Sequence, residues 1–140
     1  MPQPVSRSIL AMLDFLQSRA SSFKHAFAGW FYVLHTQQNA WIHALATVCV
    51  VVMAIWLQLG VRDWAVLILT VAMVWTAEFL NTALEAVVDL ASPQRHPLAK
   101  VGKDVGAAAV LIAACSSVLI GVLILGPPLW GKIQPLFKVH

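Results

Sequence analysis

Charge is what this chain has least of. Only 11% of its 140 residues are Asp, Glu, Lys or Arg, while 60% are hydrophobic; an ordinary soluble domain carries about 25% charge. A soluble globular domain is therefore excluded, and the apolar residues fall in blocks long enough to span lipid, which predicts one helical bundle within a bilayer. Cysteine is nearly absent too. Cys49 and Cys115 sit in apolar runs without CxxC spacing, so they imply neither a disulfide framework nor a metal site and are expected to be small buried hydrophobes. The net charge of +3 comes from scattered basic residues without interleaved aromatics, which argues against nucleic-acid binding. Standard nucleotide motifs are missing: Gly102-Lys103 lacks the Walker A spacing and its Ser/Thr, no GxGxxG follows a strand, and no protein-kinase catalytic loop occurs. Internal repeats and low-complexity segments are absent as well.

The apolar blocks themselves set the organisation. From Ile9, apolar side chains recur at Leu13, Leu16, Ala20, Phe23, Phe27, Trp30 and Leu34, the spacing of an amphipathic helix over 8–35 with a break expected near Ser21-Ser22. Asp14, Gln17, Arg19 and Lys24 interrupt it, so it is expected to lie on the membrane surface. A secretory signal fits poorly, because the run from Ile9 to Leu13 is short and Asp14 follows it. After the polar break 35–41, spans are expected at 42–59, 64–91 and 105–125. Ser92-Pro93 stops the second, residues 92–104 form a polar loop, and Gly126-Pro127-Pro128 ends the third. Along the third, Gly106, Ala109, Ala113, Ser117 and Gly121 make a small-residue stripe suited to close helix packing. With three spans, Arg7, Arg19, Lys24, Arg95, Lys100 and Lys103 share one side against Arg62, Lys132 and Lys138. The N-terminus is therefore expected in the cytoplasm.

Within so little charge, one stretch stands out. Glu78, Asn81, Thr82, Glu85 and Asp89 fall within about 100° of one side of the second span. An ionised carboxylate in lipid costs at least about 2.5 to 3.5 kcal/mol, so three on one helix face point to a function or to polar partners. If Trp64 marks one interface, Glu78 lies about 21 Å along the helix and Glu85 about 31 Å. Glu78 is then inside the hydrocarbon, suited to take a proton from a substrate hydroxyl. Glu85 reaches the opposite headgroup layer, where a carboxylate can hold a divalent cation with water and phosphate oxygens. Lys103 and Asp104, at the start of the third span, suit phosphate binding, although Asp104 serves equally as an N-cap. His43 and His96 read as interface residues, with no second His or Cys at ligand spacing, and Trp56, Trp64, Trp75 and Trp130 as interface or packing residues.

The stretch Glu78-Phe-Leu-Asn81-Thr-Ala-Leu-Glu85-Ala-Val-Val-Asp89, followed by His96-Pro-Leu-Ala-Lys100-Val-Gly-Lys103-Asp104, resembles the signature of the prokaryotic diacylglycerol kinase family. The likeness runs from about Ser22-Phe23 to Ile124, and its wording is nearer to the undecaprenol kinase branch. It implies a homotrimeric membrane kinase that uses ATP and Mg2+. Glu78 matches the catalytic base, in contact with the lipid alcohol, Asn81 a polar residue organising the site, and Glu85 a metal ligand that also meets ATP. Gln94, Arg95, His96, Lys103 and Asp104 match the segments that contact ATP, as does His25, where Tyr is common. One departure concerns the metal: where the family has a second carboxylate ligand in Thr-Glu-x-Asn, this chain reads Thr36-Gln37-Gln38-Asn39, so Gln37 offers a carbonyl oxygen without charge. Trp41 likewise replaces a frequent Arg.

The sequence thus leads to an all-α membrane protein, with a surface helix and three spans, acting as an ATP-dependent lipid kinase on undecaprenol or diacylglycerol. Two other readings compete. A small proton-coupled transporter or channel subunit would use Glu78 as a proton acceptor, and a catalytically reduced scaffold of the kinase family would account for Gln37.

Overall fold

The computed structural model describes residues 7–94 and 96–137. These described residues form four helices, α1 (Arg7–Thr36), α2 (Gln38–Trp56), α3 (Val61–Ala91) and α4 (Pro97–Phe137). Among the described residues, α2, α3 and α4 are the three long and apolar enough to cross a membrane. The chain divides into two compact units, Met1–Gln38 and Asn39–His140.

In the first unit α1 runs unbroken through Ser21-Ser22, where a break was expected. Ser22 Oγ donates to the Ser18 carbonyl at 3.0 Å, a back-bond that a helix tolerates. Leu16, Phe23, Phe27 and Trp30 are all exposed, the apolar face predicted from their spacing.

The second unit is an antiparallel arrangement in which α3 packs most extensively along α4. The α2–α3 turn is tight because Gln58 takes a left-handed conformation (φ 56°). Its N–H reaches the Ile55 carbonyl at 3.0 Å and that of Leu59 the Ala54 carbonyl at 3.1 Å, a Schellman closure that satisfies helix-end carbonyls. Next to this turn Ala54, Leu57, Leu67 and Leu125 form the buried apolar cluster that joins all three helices. Helix α3 has no Gly or Pro in its 31 residues. It ends where Ser92, preceding Pro93, leaves helical geometry (φ −137°, ψ 75°), as the residue before proline is pushed to do.

Helix α4 corrects the predicted third span at both ends. It begins at Pro97, not 105, since proline's fixed φ and missing N–H suit the first helical position, and His96 Nδ1 accepts the Leu98 N–H at 3.2 Å. It also continues through Pro127 and Pro128 to Phe137. Two prolines forfeit two backbone hydrogen bonds, but Leu125 on one side and Leu129 on the other are held by the apolar cluster. Beyond them Lys132 Nζ donates to the Trp56 carbonyl at 2.6 Å and lies 4.7 Å from that indole ring. The small-residue stripe is shifted too: Gly106, Val110 and Ala113 are buried, while Ala109 is exposed, because steps of four and seven keep to the contact face more closely than a step of three. Cys49 and Cys115, expected to be buried, are exposed and free. On their own helices the exposed Leu45 and Val52 flank Cys49 by one turn and the exposed Leu111 and Leu119 flank Cys115, surfaces for which lipid is the matching solvent.

Candidate active site

The polar stripe of α3 is graded by burial. Glu78 is 1% exposed and is, among the described residues, the largest fully enclosed side chain; Thr82 and Asn81 are also buried. Glu85 is half-buried and Asp89 exposed, so access to solvent opens over about 16 Å of helix. Local bonds hold the stripe. Thr82 Oγ1 donates to the Glu78 carbonyl at 2.9 Å, and Asn81 Nδ2 donates to Glu85 Oε1 at 3.1 Å, an i, i+4 pair on one helix face.

Helix α4 shapes the same site through a glycine. A Cβ at position 106 would overlap Asn81 Oδ1 and stand 3.1 Å from Leu84 Cδ2, so only glycine lets α4 come this close. Further along, Lys103 Nζ meets Asp89 Oδ1 at 2.6 Å and ties α4 to the open end of the stripe. Beside that pair is a cleft of 680 Å³ lined by Asp89, Ser92, Gln94, His96, Lys103 and Asp104 among others. It sets Lys100, Lys103 and the first turn of α4 beside Asp89 and Asp104, so the cations and helix start that can meet phosphate share the cleft with carboxylates of equal number. Lys103 and Asp104 are not at a helix N-terminus as expected, since α4 starts two turns earlier, and Asp104 is no N-cap.

The structure therefore brings Glu78, Asn81 and Glu85 together along one face, and Gln94, His96, Lys103 and Asp104 around one cleft. His25 is exposed on α1, and Gln37 is half-buried just after it, its N–H bonded to the Val33 carbonyl at 2.9 Å. Both belong to the first unit. Arg95 lies outside the described residues. Glu85, oriented by Asn81 and half open, fits a divalent cation that takes one or two carboxylates and completes its shell with water and phosphate oxygens. Among the described residues no three His, Cys, Asp or Glu side chains cluster as an all-protein metal cage would.

One neighbour of Glu78 is not predicted by the polar stripe. His43 of α2 faces it, with Nε2 at 3.7 Å from Oε2. The register of the α2–α3 hairpin carried the signal: His43 lies eleven residues before Ala54 and Glu78 eleven after Leu67, and Ala54 and Leu67 share the apolar cluster.

Three helices able to cross a membrane, with a buried carboxylate leading to a charged cleft lined by two Lys and two Asp, define a helical membrane protein with a polar site opening at its surface. The family model described as prokaryotic diacylglycerol kinase matches residues 24–125. The chain is 48% identical over 109 residues to a diacylglycerol kinase of a Synechocystis species, covering 77% of this chain and 62% of that protein. It is 38% identical over 108 residues to the undecaprenol kinase of Bacillus subtilis, covering 77% of this chain and 88% of that protein. With a diacylglycerol kinase of Escherichia coli strain K12 the identity is 34% over 110 residues, covering 79% and 87%. The chain belongs to the prokaryotic diacylglycerol kinase family, a family of bacterial membrane lipid kinases.

Proposed function

We propose that this chain is a single membrane domain that transfers the γ-phosphate of ATP to the primary hydroxyl of a lipid alcohol. The acceptor is undecaprenol or diacylglycerol, and the product undecaprenyl phosphate or phosphatidic acid. The observation that carries the reading is the enclosure of Glu78 on a helix face that leads, through Asn81 and Glu85, to the Lys103 cleft. A lipid hydroxyl arrives from within the bilayer and a nucleotide from water, so a kinase joining them needs its base at depth and its phosphate-binding groups at the surface.

In this mechanism Glu78 accepts the hydroxyl proton while the alcohol oxygen attacks the γ-phosphorus. The bond from that phosphorus to the β–γ bridging oxygen breaks, and ADP leaves. Lys103 offsets phosphate charge in the cleft, and Gln94 and His96 line the nucleotide's path. Asn81 keeps Glu85 aimed. Glu85 would hold Mg2+, which neutralises charge on the transferring phosphate when bound. Most of the rate then comes from positioning and electrostatics. The excess of Lys and Arg on the N-terminal side supports a cytoplasmic N-terminus and hence a cleft open to cytoplasmic ATP. The outward apolar faces of the helices leave room for assembly with further copies, as the homotrimer implied by the family requires.

The test is transfer of labelled γ-phosphate to undecaprenol and to diacylglycerol in mixed micelles with Mg2+. Transfer to either acceptor, lost in Glu78→Gln, supports the reading and names the substrate. Gln37→Glu, which restores the family's carboxylate at that position, is expected to lower the Mg2+ concentration needed. Absence of transfer by both the native chain and Gln37→Glu would overturn the kinase reading.

A further inference from the structure

Buried polar atoms nearly always find partners, yet two that face each other here have none. His43 Nε2 and Glu78 Oε2 are both enclosed and lack a hydrogen bond, although they stand 3.7 Å apart on side chains 13% and 2% exposed. The imidazole is not loosely placed. Trp75 meets it edge-on at 6.3 Å between ring centroids, with an interplanar angle of 68°. The Trp75 indole in turn donates to Thr47 Oγ1 at 3.2 Å, and that hydroxyl donates to the His43 carbonyl at 2.7 Å. The backbone of His43 thus anchors the aromatic wall against which its own ring rests. Trp75 sits one turn before Glu78 on α3, so one helix carries both the wall and the carboxylate. A gap of this size closes by a small ring rotation, and catalytic hydrogen bonds are often long before substrate binds.

We infer that His43 is the positioning residue for Glu78: its Nε2–H engages Oε2 and thereby presents the second carboxylate oxygen to the acceptor hydroxyl. The inference rests on the lipid kinase reading and deepens it. A carboxylate has two equivalent oxygens and free rotation about its last bond, so a base enclosed in an apolar bundle needs one oxygen held if the other is to be aimed. Glu85, two turns along α3, contributes like charge, and α4 presents Gly106 to this part of the stripe while its Lys103 is engaged with Asp89. The imidazole is the group that opposes the carboxylate from across the helix interface. Its use as a donor requires the Nε2–H tautomer.

Two variants and one spectrum test this. His43→Leu keeps much of the volume and removes the donor, whereas His43→Gln places an amide N–H near the position of Nε2. In the micelle assay His43→Leu is expected to lower kcat on the order of 10- to 100-fold with an unchanged KM for ATP, and His43→Gln to recover most of that loss. In protein carrying 15N-histidine, the Nε2 resonance identified by its disappearance in His43→Gln is expected to move in Glu78→Gln. Native kcat in His43→Leu, equal losses in His43→Leu and His43→Gln, or a resonance unmoved by Glu78→Gln would each overturn the inference. The spectrum needs no turnover, so it judges the pair even if the native chain transfers no phosphate, the result that would sink the kinase reading instead.

Discussion

Gly106→Ala separates the geometry of this site from its composition, because it adds one methyl group and touches no polar residue by substitution. That methyl would occupy the space of Asn81 Oδ1 and lie 3.1 Å from Leu84 Cδ2 and 3.4 Å from Asn81 Cγ. Either α4 retreats from α3 or the Asn81 amide turns, and turning it breaks the 3.1 Å bond to Glu85. Overpacking of this kind costs about 1 to 3 kcal/mol, and losing a hydrogen bond to a carboxylate about 1.5 to 3 kcal/mol. The better helix propensity of alanine returns about 1 kcal/mol. A net loss of about 1.5 to 5 kcal/mol follows if the amide turns, read as a lower melting temperature in detergent. Phosphate transfer is expected to fall by about 100-fold, since a displacement near 1 Å at a reacting group has that effect. Gly102→Ala is the control, because a Cβ there meets only Val88 Cγ2 at 3.7 Å; it should melt at or slightly above the native temperature and keep its activity. Combining Gly106→Ala with Asn81→Ala should cost less stability than the sum of the two. Native melting and native transfer in Gly106→Ala, or equal damage from Gly102→Ala, would refute the close approach of α4 to Asn81.

Other contacts give simpler tests. Gln58→Gly should stabilise the chain by about 0.5 to 1 kcal/mol, because glycine enters the left-handed conformation of the α2–α3 turn without the penalty of a Cβ; a lower melting temperature would count against that turn. Lys132→Met removes both the donor to the Trp56 carbonyl and the cation beside its ring, an expected loss of about 0.5 to 1 kcal/mol that Lys132→Arg should partly restore. Lys103→Met should raise the KM for ATP about tenfold or more and change kcat less, whereas Asp89→Asn, which frees the Lys103 ammonium from its partner, should spare nucleotide affinity. Equal effects of the two on KM would assign the ion pair, and not the cation, to the nucleotide.

The helices were legible because hydropathy reports them directly: long apolar runs separated by Gln37, Gly60 and Ser92-Pro93 leave few alternatives. Their ends were not, because proline has two meanings. The sequence pattern places Pro97 in a loop and makes Pro127-Pro128 a stop, whereas the first opens α4 and the second lies between Leu125 and Leu129, whose packing outweighs two missing hydrogen bonds. A single residue's local preference cannot reveal what a neighbouring helix holds in place. For Cys49 and Cys115 apolarity predicts burial by protein, yet both are exposed, because in a membrane the apolar side of a helix is as often the outside.

The same division runs through the site. Glu78, Asn81, Thr82 and Glu85 were visible in the sequence because polar groups in an apolar run are costly, and their common face follows from helix periodicity alone. Their partners were hidden because partners depend on register between helices. Once the Gln58 turn fixes where α2 folds back on α3, the apolar pair Ala54 and Leu67 sets the depth of every residue above it, and His43 arrives opposite Glu78 with no further choice. The glycine at 106 performs the equivalent service for α4, bringing its backbone against Asn81. A turn conformation and a missing side chain, neither of them chemically reactive, thereby determine what surrounds the buried carboxylate. Substitutions that shift the α2–α3 turn by one residue should accordingly abolish the His43–Glu78 apposition while leaving the composition of the stripe intact, since one step along a helix rotates each side chain by about 100°.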